Sequence, residues 1–187
     1  MPFQVIAGSA RGRRLKSPPA GVRPTAAILR RSLFDILGPD VIDAMVLDLY
    51  AGAGGLGVEA LSRGAARCAF VDSDRRCVAV IKANLALLRE SEGARLSTVD
   101  CAPVESWLRR HQGRIFDYDL IMLDPPYGEP GLENVLSYLA RPAALGADAL
   151  VVLEERADRE IALPSGLETH RRVSHGDSAL TFIRAVS

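Results

Sequence analysis

The sequence predicts an α/β fold: a mostly parallel sheet with helices on both faces, closed at its C-terminal edge by an antiparallel hairpin. Three observations carry this. From Met45 onward, short apolar runs alternate with segments of helical period, a pattern that builds parallel strands joined by right-handed crossovers. A glycine turn, Gly52-Ala-Gly-Gly-Leu-Gly57, follows the first run directly and has the G-x-G-x-x-G spacing of a strand-to-helix ligand loop. Near the C-terminus the helical rhythm stops, and two strand-like runs flank His175-Gly-Asp-Ser178.

In chain order, Phe3–Ala7 and Arg13–Lys16 flank Gly8-Ser-Ala-Arg-Gly12 and suggest a short hairpin with a flexible basic tip. Ser17-Pro-Pro-Ala-Gly21 excludes regular structure. Thr25 is placed to N-cap a helix whose Leu29, Leu33 and Ile36 recur at helical spacing up to Gly38-Pro39. Arg30 and Arg31 fall off that apolar stripe. Strands are then expected at 45–50, 67–72, 95–99, 118–123 and 148–153, and helices at 55–63, 74–89, 103–111 and 131–140. The 74–89 helix is the clearest, with Val78, Ile81, Leu85 and Leu88 on one face. Thr169–Ser174 and Ala179–Val186 complete the hairpin. Glu154 and Glu155, just past the fifth strand, are expected in solvent.

Composition excludes several classes. At 187 residues and 48% hydrophobic the chain can bury a core, so it is not disordered. Cys68, Cys77 and Cys101 are too few for a disulfide scaffold and read as small buried hydrophobes in a reducing cytoplasm. No apolar run spans a bilayer, and the start lacks the pattern of a secretory signal. His111, His170 and His175 share no metal-ligand spacing, so no metal is expected.

The formal net charge of zero hides an asymmetry. Met1 to Phe34 holds seven basic residues and no acidic one, while Asp35 to Ser187 holds 16 basic and 23 acidic. A dense basic segment on an acidic chain is the footprint of phosphate binding. We therefore divide the chain into a basic nucleic-acid-binding extension, 1–40, and a catalytic domain, 41–187.

Two motifs carry chemistry. In a doubly wound fold the glycine turn brings backbone to a ligand, and Asp72, twenty residues after Gly52 at the end of the second strand, is placed for ribose hydroxyls. Asp48 separates the candidate ligands. A carboxylate just before the turn opposes a dinucleotide's pyrophosphate but favours the ammonium and sulfonium of S-adenosylmethionine.

The second motif is Asp124-Pro125-Pro126-Tyr127 at the end of the fourth strand. A specified tetrapeptide arises by chance in a chain of this length on the order of one time in a thousand. An exocyclic base amine is a poor nucleophile because its lone pair is delocalised. The Asp124 carboxylate and the Pro125 carbonyl supply two acceptors for its hydrogens, two prolines stiffen the loop, and Tyr127 offers a stacking face for an extruded base.

With these residues in place, Leu47–Gly57 and Asp124–Tyr127 resemble motifs I and IV of class I S-adenosylmethionine-dependent amino-methyltransferases. Val5–Leu15, Arg23-Pro-Thr25, Leu33–Leu37 and Glu59–Ala65 narrow the resemblance to the RsmD family, bacterial small-subunit ribosomal RNA guanine-N2 methyltransferases. The resemblance implies a Rossmann-like seven-stranded sheet and methyl transfer to a guanine N2 of ribosomal RNA, free or in an assembling small subunit. By position it implies that Asp48, Gly52 and Gly54 line the methionine moiety and that Asp72 holds the ribose, with Tyr50 and Ser73 also at the cofactor. Asp100 and Cys101 would meet the adenine, and Asp124 to Tyr127 the target guanine. Arg11, Arg13, Arg14, Arg23, Thr25 and Arg30 are the expected RNA contacts. The chain departs from the family where Ala27-Ile28 and Arg30-Arg31 replace an Asp-Arg pair and an Arg-Glu pair.

The rivals are a DNA adenine-N6 methyltransferase, for which the chain leaves no room for a sequence-reading domain, and a non-catalytic RNA-binding assembly factor, against which the intact Asp124–Tyr127 box stands. A protein-glutamine methyltransferase does not call for the basic arm. An NAD-dependent oxidoreductase is disfavoured by Asp48. Nothing in the sequence demands a protein partner or more than a monomer.

Overall fold

The computed structural model describes residues 3–22, 25–88 and 91–186. Its centre is one seven-stranded sheet in the order β3-β2-β1-β4-β5-β7-β6. Strands β1 (Met45–Leu49), β2 (Arg67–Asp72), β3 (Thr98–Cys101), β4 (Leu120–Leu123) and β5 (Leu150–Arg156) are parallel. The C-terminal pair β6 (Leu167–His175) and β7 (Ser178–Ala185) forms the expected antiparallel hairpin. β7 inserts between β5 and β6, antiparallel to both.

The inner strands β1, β2, β4, β5 and β7 are buried on both faces, and their period-two alternation sorts side chains into two cores. Val46, Phe70, Leu120, Met122 and Phe182 face α1 (Ala27–Leu37), α2 (Gly55–Ser62) and α3 (Arg75–Leu85). Leu47, Leu49, Val71, Ile121 and Leu153 face α5 (Val104–Arg110) and α6 (Leu132–Leu139). Helix α2 is buried along its whole length. On one side Gly57 lies so close to β2 that a Cβ there would stand 2.3 Å from Phe70 and 2.6 Å from Cys68 Sγ. Its other side is covered by the N-terminal segment. Val5, Ala10, Leu15, Leu29 and Phe34 share one apolar cluster with Val46 and Met122. Residues on both sides of position 40 thus share one apolar core.

Several expectations are corrected. The short N-terminal hairpin is present, with Val5 N–H donating to the Arg13 carbonyl at 3.0 Å and Leu15 N–H to the Phe3 carbonyl at 2.9 Å around a Gln4–Arg14 bridge. Its tip, expected to be flexible, is instead docked on α2, with Ser9 N–H donating to the Ser62 carbonyl at 2.7 Å. The strand expected at 95–99 begins at Thr98. A short helix, α4 (Glu92–Leu96), takes up the preceding residues, because Gly93 packs tightly against the Ala65 and Ala66 carbonyls. Strand β5 continues through Glu154 and Glu155, which are therefore buried, and Glu155 accepts from Thr181 Oγ1 at 2.6 Å. Cys101 is exposed, unlike Cys68 and Cys77. The N-cap position of α1 is Ala26, not Thr25.

Candidate functional site

The sheet order reverses direction between β1 and β4, the switch point where doubly wound folds bind ligands outside the carboxyl ends of their strands. A cleft of about 520 Å³ opens there. Its floor is the turn leaving β1, where Tyr50 and Gly52 both take positive φ values, 60° and 56°. Asp72 ties this turn to β2: its Oδ2 accepts from Gly52 N–H and its Oδ1 from Asp74 N–H, each at 2.8 Å. Burial raises the Asp72 pKa, and the two backbone donors oppose the shift.

Asp124 to Tyr127 forms the opposite wall, carried on β4, the immediate neighbour of β1. The Tyr127 hydroxyl is hydrogen-bonded to Ser178 Oγ at 2.8 Å, and the Arg156 guanidinium lies 5.9 Å from the ring centroid. Part of the rim comes from the N-terminal segment through Phe3, Gly21, Val22 and Thr25, and the Thr25 hydroxyl donates to Asp124 Oδ2.

The electrostatics of the cleft are one-sided. Among the described residues six carboxylates line it, Asp72, Asp74, Glu105, Asp124, Glu129 and Glu154, and no lining residue is basic. Burial, then Glu129 and Glu105, pushes the Tyr50 hydroxyl pKa up. Such a wall repels a pyrophosphate and favours a cationic ligand. S-adenosylmethionine, with its ammonium and sulfonium, fits this donor set.

Of the residues expected to meet the cofactor, Tyr50, Gly52, Asp72 and Ser73 line the cleft. Asp48 and Gly54 lie behind it. Asp48 is 1% exposed and accepts from Gly57 N–H at 2.9 Å, holding the start of α2 on β1. Desolvation raises its pKa strongly, Gly57 opposes this, and the charges of Asp124 and Asp72 add to it. Asp100 is directed away from the cleft, and its carboxylate accepts from Trp107 Nε1 at 3.0 Å in a smaller groove beside α5. Cys101 is likewise absent from the cleft lining, and its Sγ lies 3.7 Å from the Ser73 carbonyl.

On the basic segment, Arg11, Arg13 and Arg14 are exposed, with Arg13 donating to the Leu87 carbonyl. Arg23 lies outside the described residues. Arg30 is corrected: it is 2% exposed, donates to the Gln4 carbonyl at 2.6 Å and lies 5.2 Å from the Phe3 ring centroid. It is a buried bolt of the N-terminal segment, and desolvation lowers its pKa.

Sequence reasoning missed the anchors. Glu59 accepts from Ile6 N–H and Ala7 N–H at 2.7 and 2.9 Å and pairs with Arg63. Asn84, fully buried on α3, accepts from Lys16 N–H at 2.8 Å and donates to the Ala53 carbonyl at 2.9 Å, joining the basic segment to the glycine turn. A polar residue on the apolar face of α3 was the available signal. No metal-binding group of three appears among the described residues, and none of their helices is long and apolar enough to cross a membrane.

A family model described as Conserved hypothetical protein 95 matches residues 3–184. The chain is 38% identical to YlbH of Bacillus subtilis over 87% of this chain and 86% of that one. It is 32% identical to Ribosomal RNA small subunit methyltransferase D of Escherichia coli, over 95% of this chain and 87% of that one. The solved structure of yhhF from Escherichia coli superposes with a TM-score of 0.83 at 31% identity, covering 99% of this chain and 98% of that one.

Proposed function

The chain belongs to the Conserved hypothetical protein 95 family, and from that membership we propose that it transfers a methyl group from S-adenosylmethionine to the exocyclic N2 amine of a guanine in small-subunit ribosomal RNA. The relative named Ribosomal RNA small subunit methyltransferase D supports the reaction class and the substrate. The observation that carries the reading at this site is the meeting, in one acidic cleft, of the glycine turn and the Asp124–Tyr127 box.

When bound, S-adenosylmethionine supplies an electrophilic methyl group on a sulfonium. Tyr50, Gly52, Asp72 and Ser73 hold it, and the surrounding carboxylates favour its cationic groups. Asp72 positions the Gly52 turn through one oxygen while keeping lone pairs for ribose hydroxyls. Asp48 acts from behind, by fixing the start of α2 through Gly57.

At the acceptor side the Asp124 carboxylate and the Pro125 carbonyl would each accept a hydrogen bond from the guanine amine, holding the nitrogen with its lone pair free for the transfer. Tyr127 stacks on the extruded base, its ring held in place by Ser178. Positioning supplies most of the rate. The proton leaves to water after transfer, with Asp124 available as its acceptor. Arg11 and Arg14, exposed on the docked N-terminal tip, grip RNA phosphates.

Purified protein with radiolabelled S-adenosylmethionine and three acceptors, small subunits, naked ribosomal RNA and duplex DNA, tests the reading. Label is expected in RNA as N2-methylguanosine and is lost in Asp124→Ala, which still binds cofactor. Incorporation into DNA alone would overturn it.

A further inference from the structure

A threonine just before a helix ordinarily spends its hydroxyl on the helix's first N–H groups. Thr25 does not. Helix α1 begins with Ala26 at its N-cap and no side-chain cap at all, and the Thr25 hydroxyl donates instead to Asp124 Oδ2, 99 residues away in sequence. The helix goes uncapped while the donor is turned across the cleft onto the box that receives the acceptor amine.

The geometry matters because of the two side chains involved. The terminal torsion of an aspartate is broad and roughly two-fold, so backbone position alone leaves the carboxylate plane undefined. A β-branched threonine is restricted at χ1, and a half-buried one makes a stiff donor. One such hydrogen bond fixes which way the carboxylate faces. Thr25 lies two residues before α1, whose Leu29, Leu33 and Phe34 are buried in the core, and upstream Lys16 is locked to Asn84 on α3 in both directions, N–H to Oδ1 and Nδ2 to carbonyl.

We infer that Thr25 is a positioning residue for methyl transfer, acting through Asp124. Its hydroxyl sets the carboxylate plane against which the guanine amine is aligned, and the N-terminal segment is therefore a structural part of the transfer site as well as a grip on RNA. This rests on the proposed amino-methyl transfer and goes beyond it. The requirement for alignment is steep, since a displacement of about 1 Å at a reacting group costs on the order of 100-fold.

The experiment is steady-state and single-turnover methylation of small subunits by the full chain and by Thr25→Val, which keeps the branched shape and removes the donor, and Thr25→Ser, which restores it. Thr25→Val is expected to lower kcat by about 10- to 100-fold, with the RNA KM and the cofactor Kd within about twofold of the parent. Thr25→Ser is expected to recover most of the lost rate. If Thr25→Val melts well below the parent, Thr25→Ala at a temperature where it is folded gives the same deletion. An unchanged kcat in Thr25→Val, a loss expressed wholly as a raised RNA KM, or no recovery in Thr25→Ser overturns the positioning role while leaving the methyltransferase reading intact. An unmodified chain that methylates none of the RNA acceptors overturns that reading itself.

Discussion

Glu59 Oε2 accepts the Ile6 amide hydrogen at 2.7 Å. The helix that presents the glycine turn at one end thus anchors the basic segment from its interior. Glu59 Oε1 receives Ala7 N–H and Arg63 Nε, so the carboxylate is shared among three donors in a site 1% exposed. Glu59→Ala leaves two backbone donors and two nearby guanidinium groups, Arg30 and Arg63, without their acceptor or counter-charge. We expect a loss of about 3–5 kcal/mol, read by chemical denaturation. A loss below about 1 kcal/mol would show that the anchor is dispensable.

Gly8 and Gly12 both take left-handed backbone, with φ near 80°, yet they face different surroundings. A Cβ on Gly8 would stand 1.8 Å from the Ser62 carbonyl oxygen, whereas nothing lies within 4 Å of one on Gly12. Gly12→Ala should cost only the backbone term, about 1–2 kcal/mol. Gly8→Ala should cost more and detach the tip, detectable as faster amide exchange at Ser9 and Ala10. Equal effects in the two variants would contradict the docked geometry.

Asp48 gives a pH signature. Burial raises its folded pKa above the unfolded value near 3.8. Between that value and the raised one the native state binds more protons than the unfolded state, so this group's contribution falls as pH rises. Asp48→Asn removes the titration. Its melting temperature relative to the parent should therefore climb as pH rises above 3.8 towards the raised folded value, while cofactor affinity drops. A difference that stays flat with pH would refute the assignment.

The hydroxyl of Tyr127 and Ser178 form a pair whose loss is measurable as a double-mutant cycle. Tyr127→Phe and Ser178→Ala should each reduce kcat/KM by about fivefold, the equivalent of one hydrogen bond near 1 kcal/mol. The double variant should be no worse than either. Tyr127→Ala, which removes the stacking face, should lose about 1–3 kcal/mol of transition-state binding. Full additivity of the two single changes would mean that Ser178 does not orient the ring.

The arginines of the basic segment should separate into two kinds. Arg11→Ala and Arg14→Ala should lower the salt dependence of RNA affinity, each by about 0.7–0.9 in slope, and leave stability near the parent's. Arg30→Ala should do the reverse, because its guanidinium is held by Gln4 inside the protein. Filter binding across a salt series with parallel melting curves distinguishes them.

Much of this was readable in the chain. The alternating apolar runs, the glycine turn and the C-terminal hairpin are local patterns, and period and turn chemistry act over a few residues, so the parallel sheet and the neighbouring placement of Gly52, Asp72 and Asp124 followed from them. Long-range choices did not. Arg30 stands three, four and seven residues before Leu33, Phe34 and Leu37 on the buried face of α1, and only the N-terminal segment, through the Gln4 carbonyl, supplies the acceptor that holds an arginine there. Thr25 carries a capping residue's chemistry, and only the approach of β4 offered it a stronger acceptor, the Asp124 carboxylate. Asp100 sits near a strand end like Asp72, yet the register pairs it with Val71, so it faces α5, where Trp107 Nε1 donates to it. Sequence by itself determined the elements, their order and the two motifs. Tertiary structure alone decided which polar groups face the cleft, because a hydrogen-bond partner or a buried surface can be contributed by any segment that folding brings alongside.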